Sequence, residues 1–253
     1  MAIPTAMRAG DARPIAGTNA EESAIGSSSA ILYSIPQLDA LTGGFEPGKV
    51  AFIESSSRFI FPLTTLMAFR GALEGEVVFV DGGNSVDPFG IARHCKARRI
   101  DPRPILSRVR VARAFTAHQI ATLINERLEG AVREANAGTI IISCLMDMFF
   151  DKDMPWRESR QLLRRSLEEI GAVARESEAA AIVTHYSHAP LNSRLAALVD
   201  ARTDLRLRLR QAGDTLFATS RYGSMAFRTG PGRWQRTLDQ YGGLCDGPDL
   251  AHV

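Results

Sequence analysis

Four short runs of unbroken apolar character fix what this chain can fold into: VAFIE at 50–54, EVVFVD at 76–81, TIIIS at 139–143 and AAAIVTHY at 179–186. Each is too short for a core helix and too continuously apolar for a strand with one wet face. Each therefore predicts a strand buried on both faces of a parallel sheet. Parallel neighbours need crossovers, and helix-length segments lie between the runs, at 62–73, 88–98, 118–135 and 156–177. Ile120, Leu123, Ile124 and Leu128 form one inner stripe, and Leu163, Leu167, Ile170 and Ala174 another. VRVARAF, 109–115, alternates and predicts a further strand. DLRLRLRQ and TLFATSRY flank an Ala-Gly-Asp turn and predict an antiparallel hairpin. The expectation is an α/β fold, a mostly parallel sheet flanked by helices on both faces with a C-terminal antiparallel hairpin.

The boundaries follow composition. Residues 1–30, rich in Ala, Gly, Ser and Glu, predict a flexible N-terminal arm; 31–228 form the core; 229–253, rich in Gly and Pro, predict a loose tail. No run reaches the ~18 apolar residues of a membrane span, and the N-terminus has no apolar signal region. Cys95, Cys144 and Cys245 lack any zinc-binding spacing and fit a reducing, cytoplasmic setting. A net charge of +2 excludes a globally basic nucleic-acid binder. Lysine occurs only at 49, 96 and 152, so the cations are nearly all arginine. That bias is genomic composition or a set of bidentate grips for phosphate and carboxylate, and position has to separate the two.

In open α/β sheets, ligands sit beyond the carboxyl ends of the strands. Here that rim comprises Ser55–Phe61, Asp81–Asp87, Ser143–Asp147 and Thr184–His188. The stretch GKVAFIESSSRFIFPLTTLMAFRGAL lays out a strand, a polar loop and a helix opening at Pro62, the frame of a phosphate-binding loop. Such a loop needs glycines so that its N–H groups close round phosphates, a Lys for the β/γ-phosphates and a Ser/Thr for Mg²⁺. The places in question hold Ser55, Ile60, Phe61 and Pro62. No GxSxG elbow surrounds Ser55–Ser57, so no serine nucleophile is inferred.

Three arginine sets remain. Arg157, Arg160 and Arg164 share one outer helix face, either a solvated face paired with Glu168 and Glu169 or a phosphate-contacting one. Arg194 is the only fixed cation of the short segment 187–197. Arg206, Arg208 and Arg210 alternate with leucines, either as the charged guard of an edge strand or as a docking face for DNA or an acidic partner. His185 and His188 flank Tyr186 without an obvious third ligand, so no metal site is expected. His118 is expected to open a helix.

The order of these pieces resembles the RecA/RadA recombinase superfamily, in its archaeal and eukaryotic RadA-type branch. The resemblance rests on LDALTGGFEPGKV (38–50), VVFVDGGNSVDP (77–88), VRVARAFTAHQ (109–119), TIIIS and AAIVTHY (180–186), and spans about residues 31–228. It implies a RecA-like core with degenerate Walker A and Walker B motifs, and a loop at 187–197. Ser55 stands where that family has its first glycine, and Ile60, Phe61 and Pro62 where it has Gly, Lys and Thr. Gly83 replaces the catalytic Glu near Asp81, Ser143 the Mg²⁺-holding Asp, and Tyr186 the γ-phosphate-sensing Gln. Phosphoryl transfer is positioning plus electrostatics, so no catalysis and no ATP or Mg²⁺ cofactor are expected. The resemblance implies an inactive accessory or scaffold in DNA repair or recombination, contacting DNA without sequence preference, an active recombinase or repair protein, or copies of itself. Two alternatives stay open. One is a divergent ATPase rebuilt on Arg58 with Asp81 or Asp87, and the other a protein-binding regulator without DNA or nucleotide.

Overall fold

The four apolar runs become the centre of one sheet. The computed structural model describes residues 30–33, 35–150, 155–188 and 191–228; the arm, the tail and the loop with Asp151 and Asp153 lie outside them. The strands are β1 (Val50–Ser55), β2 (Glu76–Asp81), β3 (Val109–Arg113), β4 (Ala137–Ser143), β5 (Ala180–Tyr186), β6 (Leu205–Ala212), β7 (Thr215–Ser220) and β8 (Gly223–Arg228). Their spatial order is β3-β2-β4-β5-β1-β6-β7-β8. Pairing is parallel from β3 through β6 and antiparallel for β6–β7 and β7–β8. The β6–β7 turn is two residues long, and Gly213 at φ 56° supplies the left-handed geometry that primed hairpin turns need.

Alternate residues of the central strands feed two cores. Val50, Phe52, Val80, Ile140, Ile142 and Val183 face one, covered by α5 (Ala117–Thr122), α6 (Leu128–Ala135), α7 (Trp156–Glu176) and α8 (Ser193–Asp200). Ala51, Ile53, Phe79, Ile141, Ile182 and Leu207 face the other, covered by α1 (Pro36–Thr42), α2 (Ile60–Glu74), α3 (Pro88–Ala97) and α4 (Pro102–Ser107). The expected three-layer α/β architecture with its C-terminal hairpin is thus the observed one. Among the described residues, no helix is long and apolar enough to cross a membrane.

Local chemistry sets the helix ends. Asp87 and Asp101 each cap a helix from the position before a proline, accepting from the Gly90 and Arg103 N–H groups. Thr116 Oγ1 accepts from the Gln119 N–H, and Gln119 Oε1 accepts from the Phe115 N–H, so Gln119 of the TAHQ segment is a capping residue. A π-helical turn, Leu123–Arg127, joins α5 to α6, so the helix expected over 118–135 is one rod with a widened turn.

The structure departs from expectation in five places. α4 and α8 are additional helices, and α8 takes in Arg194, which therefore sits on a helix rather than in a loop. β8 is an additional strand. β6 is not an edge strand but lies between β1 and β7. Finally, α2 opens at Ile60, two residues before Pro62.

At Gly71 of α2 the helix lies close on the sheet, and a Cβ there would lie 2.7 Å from Thr139 Oγ1 on β4. Helix propensity alone favours Gly71→Ala by about 1 kcal/mol; overpacking against a buried β-branched side chain opposes it by about 1–3 kcal/mol. We expect Gly71→Ala to lower the denaturant midpoint. Adding Thr139→Ala should recover part of that loss, giving a non-additive double-mutant cycle.

Candidate functional site

The sequence-marked rim residues fall into two clusters at the carboxyl ends of the strands. The first surrounds the loop after β1. Ser55 is buried; its Oγ donates to Ser57 O at 2.9 Å and accepts from the Ser57 N–H at 3.0 Å. Ser57 Oγ donates in a short hydrogen bond to Gln211 Oε1 on β6 and accepts from the Phe59 N–H at 3.1 Å. The N–H groups of Ser56, Ile60 and Phe61 are taken by the carbonyls of Leu209, Ser57 and Arg58. A phosphate-binding loop leaves such amides pointing at its ligand; here serines and neighbouring carbonyls consume them.

The side chains complete the closure. Ile60 turns into the core beneath α2 rather than into a ligand space. Phe61, beside it, packs on Tyr186 with ring centroids 5.3 Å apart, and the Tyr186 hydroxyl lies 3.2 Å from His188 Nε2. Phe61 and Tyr186, standing where the resemblance places Lys and Gln, are packed on one another. Arg58 and Pro62 are exposed. Arg58 is thus a cation without the amide cradle that would hold a phosphate beside it.

The second cluster joins the ends of β2 and β4. Asp81 is fully buried, and its carboxylate accepts from the N–H groups of Gly83, Ser85 and Val86 and from Ser85 Oγ. Arg113 Nε lies 3.4 Å from Asp81 Oδ2. Ser85 and Ser143 share a short hydroxyl–hydroxyl hydrogen bond. Asp81 thus folds the loop that follows it, and Asp87, the other carboxylate of the rebuilt-ATPase alternative, caps α3 and pairs with Arg93 at 2.8 Å. A Cβ on Gly83 would fall inside contact distance of Cys144 Sγ and 2.8 Å from its Cβ. Any side chain at 83, a glutamate included, needs Cys144 to move. Burial pushes the Cys144 thiol up to about 12, so it is neutral and unreactive near neutrality.

Nearby, His185 is buried at the end of β5. Its Nδ1 is 3.2 Å from Asp147 Oδ1, but that atom makes no well-aligned hydrogen bond. His118 lies on the surface with Nε2 3.8 Å from Glu158 Oε1, which ties the start of α5 to the start of α7.

The arginine sets separate sharply. Arg157, Arg160 and Arg164 are all exposed on the outer face of α7 and make no ion pair with a described residue; Glu168, one of the expected partners, is held instead by Arg202 at 2.8 Å. Arg194 is exposed in the first turn of α8. Arg206 and Arg208 turn onto Glu54, a β1 carboxylate that composition and periodicity had not marked. The Glu54 side chain is only 7% exposed, with Arg206 Nη2 at 3.0 Å and Arg208 Nε at 2.5 Å. Arg206 also reaches Asp200 of α8 at 3.1 Å. Burial works against the charge on Arg206, but the hydrogen bonds and charges of Glu54 and Asp200 outweigh it and hold its pKa above the ordinary value. Arg210 lies over the Phe217 ring at 5.5 Å. The signal for Glu54 was present: an acid in a strand otherwise buried on both faces needs a cation, and the arginines on the expected hairpin were available.

Glu54 and Arg206 should therefore govern stability while Arg208, whose side chain is 53% exposed, should not. Glu54→Gln is expected to cost about 3 kcal/mol because it removes the buried counter-charge of Arg206 and leaves it only the exposed Asp200. Arg208→Ala is expected to cost under about 1 kcal/mol. Equal midpoint shifts in urea unfolding would refute this ranking. Comparison of the chain with models of known protein families finds no match.

Proposed function

We propose that this chain is a catalytically inactive RecA/RadA-like accessory protein of DNA repair or recombination, acting in the cytoplasm. In this reading it holds the DNA backbone through the exposed arginines of α7 and does not turn over nucleotide. The observation that carries the inactive half is the loop after β1. The N–H groups of Ser56, Ser57, Phe59, Ile60 and Phe61 are bonded by Ser55, Ser57 and backbone carbonyls, and Phe61 packs on Tyr186 beside them. No anion cradle and no lysine remain to stabilise a transferring phosphoryl group.

The DNA half is supported by Arg157, Arg160 and Arg164. Arg157 lies in the first turn of α7, where the helix's own N–H ends add positive potential, Arg160 and Arg164 follow on the same face, and none has an ion-pair partner among the described residues. Such contacts act through phosphates, so affinity should be independent of sequence and fall steeply with salt. A second reading, a regulator that binds another protein, is favoured by Phe89 and Phe115, which are 78% and 70% exposed after β2 and β3.

Two measurements test the proposal. Mg-ATP should leave the thermal midpoint unchanged, since a ligand that binds the folded state must raise it. Fluorescence anisotropy should show oligonucleotide binding by the intact chain. The triple variant Arg157→Ala, Arg160→Ala, Arg164→Ala should weaken it and reduce the slope of log affinity against log salt by about three. A nucleotide-dependent rise in midpoint would sink the inactive-site half. An unchanged salt slope would remove α7 from the DNA reading and leave the protein-binding regulator.

A further inference from the structure

Among the described residues, helices cover both faces of the sheet only as far as β6. Beyond it, the outward face of the C-terminal strands carries Arg208 and Arg210 on β6, Thr215, Phe217 and Thr219 on β7, and Ser224, Ala226 and Arg228 on β8, placed on one side by their register. All but the half-buried Thr215 are exposed. The exposed part of this face holds three arginines, Arg208, Arg210 and Arg228, and no carboxylate on the three strands; Glu54, Asp200 and Asp204 line its β1 border, where a cleft of about 360 Å³ also takes in Arg206, Thr219 and Arg221.

A cationic sheet face that no described residue covers calls for a polyanion, and two details choose between the classes. Single-stranded nucleic acid binds such surfaces by stacking bases on free aromatic rings. The rings available here are already covered: Phe217 by the Arg210 guanidinium at 5.5 Å and Tyr222 by that of Arg221 at 4.8 Å. By contrast, Arg206 and Arg208 already grip one carboxylate, that of Glu54. Arginines at alternate positions of β6 repeat at ~6.8 Å, which is also the repeat of alternate side chains in an extended polypeptide.

We infer that the outer face of β6–β8 is a docking surface for an extended acidic segment of a partner protein, with carboxylates at alternate positions lying over Arg208 and Arg210 of β6 and a further one reaching Arg228, two strands across on β8. Each guanidinium offers such a carboxylate its free N–H groups, in charge-assisted hydrogen bonds. The hydroxyls of Thr219 and Ser224 bound the track, and the Phe217 ring under Arg210 limits how far that side chain can wander. The surface is separate from the α7 arginines, so its success or failure is independent of the DNA reading.

The test uses the full chain and three fluorescent probes at low ionic strength: a twelve-residue peptide alternating Glu and Thr, a block peptide of the same composition, and a twelve-nucleotide oligothymidylate. The alternating peptide should bind more tightly than the block peptide. Arg210→Ala with Arg228→Ala, which leaves the buried Glu54 pairs intact, should weaken it roughly fivefold. Thermal unfolding of that variant should match the parent. The α7 triple variant should bind the peptide as the parent does. Equal affinity for the two peptides, or no loss in the double variant, overturns the proposal. Displacement of the peptide by oligothymidylate, lost in the same double variant, would make the face a nucleic-acid surface instead.

Discussion

The pairing of Glu54 with Arg206 and Arg208 is the interaction on which the C-terminal third of the molecule depends. A carboxylate in the middle of a sheet otherwise packed on both faces is strongly disfavoured unless a cation meets it. β1 lies between β5 and β6, so that cation must come from a strand laid parallel beside β1. Once β6 is fixed there, Asp200 at the end of α8 is drawn to Arg206, and the β6–β7–β8 meander is carried along. One buried acid thus links the middle of the fold to its far edge. It also decides which arginines remain available to solvent.

The loop after β1 makes a related point about backbone groups. Every buried or half-buried N–H needs a partner, and a loop that binds phosphate keeps several unspent until its ligand arrives. Here Ser55 and Ser57 are short enough to fold back on their own backbone, which stabilises the loop as it stands. The Ser57 hydroxyl also reaches across to Gln211 of β6, so the loop is tied to the neighbouring strand as well as to itself. At β2, Asp81 plays the corresponding part, collecting three N–H groups and one hydroxyl of its own loop. Both loops are held by residues that elsewhere would be read as chemistry.

Much of this was legible in the sequence. Runs such as TIIIS and EVVFVD announce buried parallel strands because no polar residue interrupts either face, and the α7 stripe of Leu163, Leu167 and Ile170 is plain at helical spacing. α4 escaped although its Asp-Pro opening repeats that of α3, because its few residues carry too little apolar periodicity to register. α8 escaped although the Asn192 side chain caps it, accepting from the Leu195 N–H, and Leu195, Leu198 and Val199 stand at helical spacing, because two turns are too short for that spacing to register. β8, with Gly, Ser and Arg along it, reads as tail until β7 is beside it. At the site, the absent lysine and glycines could be read directly. That Ile60 would be core and Phe61 a partner of Tyr186 could not, since adjacent residues at a helix start differ only in the direction the backbone gives them.

The contact between Gly83 and Cys144 bears on how such a protein could change. A side chain at 83 collides with Cys144, whose own backbone sits at φ 53° in the tight turn after β4. Introducing a carboxylate at 83 would therefore fail as a first step, and a smaller residue at 144 would have to come before it. Even then Asp81 would need release from its loop. The order of substitutions is thus constrained by packing alone. No single substitution therefore places a glutamate at 83 without first making room at Cys144.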